Sequence, residues 1–120
     1  MKATLVIGAN TNPEKYGCKA VQSLVNHGRE VIAYGQHAGV VAGVPIESEW
    51  NDKWAIDTVT LYINPLVQEA YYQKIIDLKP RRVIFNPGTE NPTFIEQLEA
   101  KGILAELSCT LVLLATGQYD

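Results

Sequence analysis

The side chains able to do covalent or acid–base chemistry are few and scattered. The sequence has two cysteines, Cys18 and Cys109, and two histidines, His27 and His37. No C-x-x-C or Cys/His cluster offers a zinc site. Cys109 follows the last expected strand and has the position of a nucleophile, or of a thiol that forms a mixed disulfide with a thiol ligand. No histidine stands near it to activate it, so a small side chain at a strand-to-helix junction is the simpler reading. Cys18 lies a turn into a helix among packing residues. His27 precedes Gly28 at a helix end, where an imidazole suits the negative pole of the dipole. Glu90 has the position of a base, but an acid just before Asn91 also suits the positive start of a helix. Arg81 and Arg82 look like a phosphate clamp in isolation, yet they open a strand and belong to the rim opposite the strand ends.

Richer binding chemistry lies in short loops of small, hydrogen-bonding residues, each following an apolar run. They are Gly8-Ala9-Asn10-Thr11-Asn12-Pro13, Gly35-Gln36-His37-Ala38-Gly39, Ile63-Asn64-Pro65, Asn86-Pro87-Gly88-Thr89-Glu90-Asn91 and Ser108-Cys109. Such composition suits a backbone-lined pocket for a phosphate and a flat base.

The elements that position these loops follow from periodicity. Leu5-Val6-Ile7 is a continuous apolar run, suited to a strand buried on both faces of a parallel sheet. From Glu14 to His27, Gly17, Val21, Leu24 and Val25 recur at helical steps. Glu30 to Tyr34 is a second strand, completing a βαβ unit of roughly thirty residues. Gln36 to Trp54 is irregular, with at most a short edge strand near Val44 to Ile46. Thr58 to Ile63 is β-branched and ends at a turn signal, Asn64-Pro65. Val67, Tyr71, Ile75 and Leu78 mark a helix, and Arg82 to Phe85 the next strand. Asn91-Pro92 is a strong helix start, with an N-cap oxygen and proline at N1. Phe94, Ile95 and Leu98 form that helix's buried face. Ile103 to Leu107 is a last strand, while Thr110 to Ala115 fits either a short helix or a strand.

This alternation predicts one doubly wound, Rossmann-like α/β domain over residues 1–120, with a mostly parallel sheet of about five strands and helices on both faces. Composition agrees: 47% of the 120 residues are hydrophobic, 19% are charged, and the net charge is −3. These values exclude a disordered tail, a collagen-like repeat and a polybasic nucleic-acid binder. A chain of this length buries about two-thirds of its unfolded surface and needs no disulfide or metal. It leaves no room for a second, substrate-binding half. The apolar runs at the N-terminus and at Leu111 to Ala115 are too short for a signal peptide or a membrane span, so a soluble, cytoplasmic protein is expected. Trp50, Trp54, Tyr71 and Tyr72 form either a patch for a partner or a second copy, or a cover over the sheet edge.

In such a sheet, ligands bind beyond the carboxyl ends of the strands. The five loops should share that rim, and the helix after Pro13 should aim its free amides above Gly8 to Asn12. Lys15 and Lys19 stand in its opening turns; alternatively, Asn12-Pro13 simply caps the helix and the lysines are solvated. The ligand is not read as NAD. Asn10 and Pro13 occupy the second and third glycine positions of G-x-G-x-x-G, and the second strand ends Tyr34-Gly35-Gln36 with no acid. The ATP motif G-x-x-x-x-G-K-[ST] is also absent.

At these loops the sequence closely resembles the small, stand-alone CoA-binding domain proteins, relatives of the N-terminal domain of the succinyl-CoA synthetase alpha subunit. The resemblance covers essentially the whole chain. It rests on Val6 to Tyr16, on Phe85-Asn86-Pro87-Gly88-Thr89-Glu90-Asn91 and on Cys109 to Tyr119. It implies that the pyrophosphate and adenosine end of coenzyme A lies over the first loop. Carried onto this chain, Gly8, Ala9, Asn10, Thr11, Asn12, Lys15, Gly35, Gln36, His37, Ile63, Asn64, Asn86, Pro87 and Gly88 are implicated as cofactor-binding residues. His37 departs from the lysine-bearing sequence that many relatives have after the second strand. That departure implies weaker or more pH-sensitive binding, or preference for a ligand without the 3′-phosphate of coenzyme A. The histidine that succinyl-CoA synthetase phosphorylates lies in a domain this chain lacks. The leading expectation is therefore non-catalytic binding of coenzyme A or acyl-CoA, with no metal. Acyl or thiol chemistry through Cys109 or a partner's residues is the alternative from a different class, and an interaction module with lost or altered nucleotide binding is a third.

Overall fold

A computed structural model describes residues 2–120. The strands are β1 (Ala3–Ile7), β2 (Val31–Tyr34), β3 (Gly39–Val41), β4 (Val44–Glu47), β5 (Ile56–Leu61), β6 (Arg82–Phe85) and β7 (Leu104–Leu107). They form one sheet in the order β3-β4-β2-β1-β5-β6-β7. Every pairing is parallel except that of β3 with β4. All five residues of β1 are buried, as expected of an apolar run at the centre of a parallel sheet. Its side chains alternate, Leu5 and Ile7 entering one core and Val6 the other.

The helices are α1 (Tyr16–Asn26), α2 (Pro65–Gln68), α3 (Tyr72–Asp77), α4 (Pro92–Ala100) and α5 (Thr110–Ala115), with a 3-10 turn at Glu69–Tyr71 between α2 and α3. Cys18, Val21 and Leu24 of α1 pack with Leu113 and Leu114 of α5. Ile75 of α3 and Phe94 and Leu98 of α4 pack on the opposite face of the sheet, joined by Trp50 and Trp54 from the β4–β5 connection. The doubly wound, Rossmann-like architecture is therefore as expected, and Thr110 to Ala115 is helix.

The sheet has seven strands rather than about five. The additional pairing is the β3–β4 hairpin, which turns at Ala42 and Gly43, both at positive φ (50° and 80°). Asn-Gly or Asp-Gly is the usual sequence signal for a turn of this kind. Ala-Gly is a weak one, and strands of three and four residues, one containing Pro45, are too short to show alternation. The helix expected around Val67 to Leu78 is broken into α2, the 3-10 turn and α3. Its fully buried Gln68 donates from Nε2 to the carbonyls of Ile63 (2.9 Å) and Thr89 (2.8 Å), pinning the first part of this crossover to the strand-end loops. Asn91 caps α4 through Phe94 N (3.1 Å), with proline at the helix start.

Candidate functional site

The crossover from β1 to β2 runs through α1 on one face, and that from β5 to β6 runs through α2 and α3 on the other. β1 and β5 are neighbours, so the connections diverge between their carboxyl ends, the switch point of an open α/β sheet.

Backbone approaches backbone closely at this point. Gly8 has φ +98°, and a Cβ there would lie 2.6 Å from the Tyr62 carbonyl oxygen. The amides of Gly8 and Ala9 both donate to the Tyr34 carbonyl (2.9 and 3.0 Å), tying the β1 loop to the end of β2. A Cβ on Gly17, in the first turn of α1, would collide with the Gly8 carbonyl oxygen, and one on Gly35 would collide with that of Ala9. Gly17 thus performs the close helix-to-strand packing assigned to a glycine in dinucleotide-binding folds. It stands too far along the chain for the usual spacing to reveal it.

Within the first loop, Asn10 Oδ1 accepts from Asn12 N (2.7 Å) and Asn12 Oδ1 accepts from Glu14 N (3.0 Å). The asparagines therefore shape the loop, and neither caps α1. That helix begins at Tyr16, with Lys15 at the N-cap and no side-chain cap, rather than at Glu14. Among the described residues, the amides of Asn10, Thr11, Tyr16 and Gly17 have no partner in the chain. Those of Tyr16 and Gly17 belong to the positive pole of α1, and free amides of this kind attract anions.

Asn10 and Thr11 line a cleft of about 560 Å3. It brings together Gly8, Ala9, Asn10, Thr11, Gly35, Gln36, His37, Ile63 and Asn64. Asn12 and Lys15 are exposed on the same loop but outside the lining. Asn86, Pro87 and Gly88 also lie outside it. The Asn86 side chain is buried; Nδ2 donates to Thr60 Oγ1 (2.7 Å) and the Leu61 carbonyl (2.9 Å), and Oδ1 accepts from Thr110 N (2.8 Å). It ties β6 to β5 and α5. Asn64 Oδ1 accepts from Val67 N (2.9 Å) and caps α2.

Ile7, Tyr34, Ser48, Tyr62, Val67 and Tyr71, none of them among the residues expected to bind the cofactor, complete the lining. Tyr34 and Tyr62 stand at the ends of β2 and β5, where the period-two pattern could have placed them on the rim. The hydroxyls of Tyr34 and Tyr71 are hydrogen-bonded at 3.1 Å. Trp50 and Trp54 pack edge-on to the Tyr34 ring at 5.2 and 6.1 Å between centroids. The aromatic group is thus half-buried against the core beside the cleft, while Tyr72 stacks separately on Phe94 at 4.4 Å. Burial, with the bond to Tyr71, pushes the Tyr34 phenol up to about 12. Burial also pushes the Tyr62 phenol up to about 12, against the opposite pull of the Thr110 and Thr60 hydroxyls. No Asp, Glu, Lys or Arg lines the cleft among the described residues.

The remaining candidates have local roles. Cys109 is half-buried at the N-cap of α5. His27 Nδ1 donates to the Ser23 carbonyl (2.7 Å) at the end of α1. Glu90 accepts from Gly88 N (2.9 Å), bracing its loop. Arg81 pairs with Asp57 (2.9 Å) at the opposite rim. There Arg82 lies beneath Tyr119, 4.6 Å from the ring centre. Among the described residues, no three His, Cys, Asp or Glu side chains converge as a metal site. No described helix is long and apolar enough to cross a membrane.

Comparison with known proteins places this geometry in context. The family model described as "CoA binding domain" matches residues 2–115. Nothing among curated proteins matches. A crystal structure described only as that of an uncharacterized protein superposes with a TM-score of 0.93 at 46% identity, covering 98% of each chain. A hypothetical protein from Pyrococcus horikoshii OT3 gives 0.85 at 19% identity over 99% of this chain and 84% of its own. A protein from Thermus thermophilus gives 0.86 at 19% identity, over 98% and 90%. The last two likenesses concern the fold alone.

Proposed function

The chain belongs to the CoA-binding domain family, and from that premise we propose that it binds coenzyme A or an acyl-CoA, without transforming it, in the cleft beyond β1, β2 and β5. The observation that carries this reading is a cleft of about 560 Å3 lined by Asn10 and Thr11, whose amides have no partner in the chain, on the loop that leads into α1. That volume falls within the usual range for small-ligand sites, roughly 300–1,000 Å3. The amides suit a pyrophosphate. Gly8, Ala9, Gly35, Gln36 and His37 would border it, and Ile63 and Asn64 would form the facing wall. Asn12 and Lys15 would flank the loop from outside, while the Asn86-Pro87-Gly88 turn would act by holding α5 and β5 in place. A reducing, cytoplasmic setting accords with two free thiols.

Titration calorimetry with coenzyme A, dephospho-coenzyme A, NAD and ATP tests the reading. Coenzyme A is expected to bind and NAD and ATP to bind more weakly. Near-equal affinity for the dephospho form is expected, because no lysine or arginine lines the cleft to read the 3′-phosphate. No heat with coenzyme A at millimolar concentration overturns the proposal.

A further inference from the structure

The cleft lining combines unpartnered backbone donors at Asn10 and Thr11 with Tyr34, Ile63 and Tyr71, which pack against one core of the sheet, and with Val67 of α2. Of the two hydroxyl protons in the Tyr34–Tyr71 pair, one makes the 3.1 Å bond between them. The accepting hydroxyl keeps its own proton, leaving one neutral O–H donor free. Burial holds the Tyr34 phenol well above the ordinary range, so it remains protonated at physiological pH. Trp50 and Trp54 pack against the Tyr34 ring and restrict it. Lys74 sits 5.5 Å from the Tyr71 ring centre and 5.9 Å from that of Trp50, but is not part of the lining.

A neutral phenol donor suits a neutral acceptor. A carboxylate placed beside it would lose hydration without gaining a lysine or arginine partner, since none lines the cleft among the described residues. Building on the coenzyme A reading, we infer that Tyr34 and Tyr71 form a subsite for a carbonyl of the ligand's uncharged pantetheine or acyl arm. The cleft thereby selects coenzyme A and its uncharged acyl esters over esters whose acyl group ends in a carboxylate. Ile63 and Val67 sheathe the aliphatic part of that arm.

The test is calorimetric titration of the wild type, Tyr71→Phe and Tyr34→Phe with 3′-phospho-ADP, coenzyme A, butyryl-CoA and succinyl-CoA, with thermal midpoints recorded for each variant. In the wild type, coenzyme A should bind about tenfold or more tighter than 3′-phospho-ADP, and butyryl-CoA about tenfold tighter than succinyl-CoA. At least one phenylalanine variant should weaken coenzyme A and butyryl-CoA by about three- to tenfold, leaving 3′-phospho-ADP unchanged. Equal affinity of wild type for 3′-phospho-ADP and coenzyme A overturns this inference while leaving a nucleotide site intact. Equal loss for both ligands in the variants, or no loss at all, overturns the tyrosine roles. Equal binding of butyryl-CoA and succinyl-CoA overturns the selection. Failure of all four ligands to bind overturns the underlying reading as well.

Discussion

Gly8 illustrates how a residue can be conspicuous in sequence for one reason and required for another. A glycine after a buried strand suggests close approach of a ligand. In the structure, the atom that excludes a side chain is the Tyr62 carbonyl oxygen, 2.6 Å from where a Cβ would stand, on a backbone already at φ +98°. Gly8→Ala is therefore expected to cost about 1–3 kcal/mol of stability even without ligand, and Gly8→Val more. Chemical denaturation of the ligand-free protein checks this, and an unchanged midpoint would refute it. The buried phenols give a second prediction at this scale. Tyr34 and Tyr62 ordinarily ionise near 10 and are raised to about 12 in the fold. The fold therefore favours their protonated form. Their contribution is whole below pH 10 and is lost as pH climbs through 12. Thermal midpoints of the wild type should fall more steeply over that window than those of a Tyr34→Phe, Tyr62→Phe double variant; parallel curves would contradict the assignment.

Elements were legible in proportion to the strength of their local signals. Asn91-Pro92 announced α4, and the apolar runs announced β1, β5 and β6. β4 answers the short edge strand allowed near Val44 to Ile46, but its pairing with β3 was missed because the turn is Ala42-Gly43. The crossover helix is interrupted by a 3-10 turn directly after Gln68, which bonds the carbonyls of Ile63 and Thr89. Helix α1 shows how packing overrides propensity. Ala for Gly17 gains about 1 kcal/mol of intrinsic helix propensity, but the new methyl would strike the Gly8 carbonyl in the loop beneath. Neither backbone can yield without moving the cleft floor. Gly17→Ala should thus lower the thermal midpoint and weaken coenzyme A binding together; a stabilised variant with unaltered affinity would disprove the coupling.

At the scale of the whole molecule, one sheet carries a core on each face, and the end of the chain returns along one of those faces to the opposite rim. There the Tyr119 hydroxyl hydrogen-bonds Thr4 of β1 at 2.5 Å, and the guanidiniums of Arg29 and Arg82 stand 5.0 and 4.6 Å from the centre of its ring. With every strand in that sheet, a single unfolding transition is expected. Coenzyme A at a hundred times its dissociation constant should add about 2.7 kcal/mol of stability by mass action. Scanning calorimetry checks both; two separated transitions would argue against one folding unit. A net charge of −3 offers no attraction to an anion, so a phosphate-bearing ligand must be held by local dipoles rather than the overall field. The sequence by itself determined the alternating α/β plan, the strand-end loops and the family resemblance, because hydrophobic period, turn residues and caps act over a few positions. Only the tertiary structure decided which loops share the cleft, that the Asn86 side chain ties β6 to β5 and α5, and that tyrosines complete the lining. Those outcomes depend on strand order and on contacts between residues distant along the chain, which local patterns do not encode.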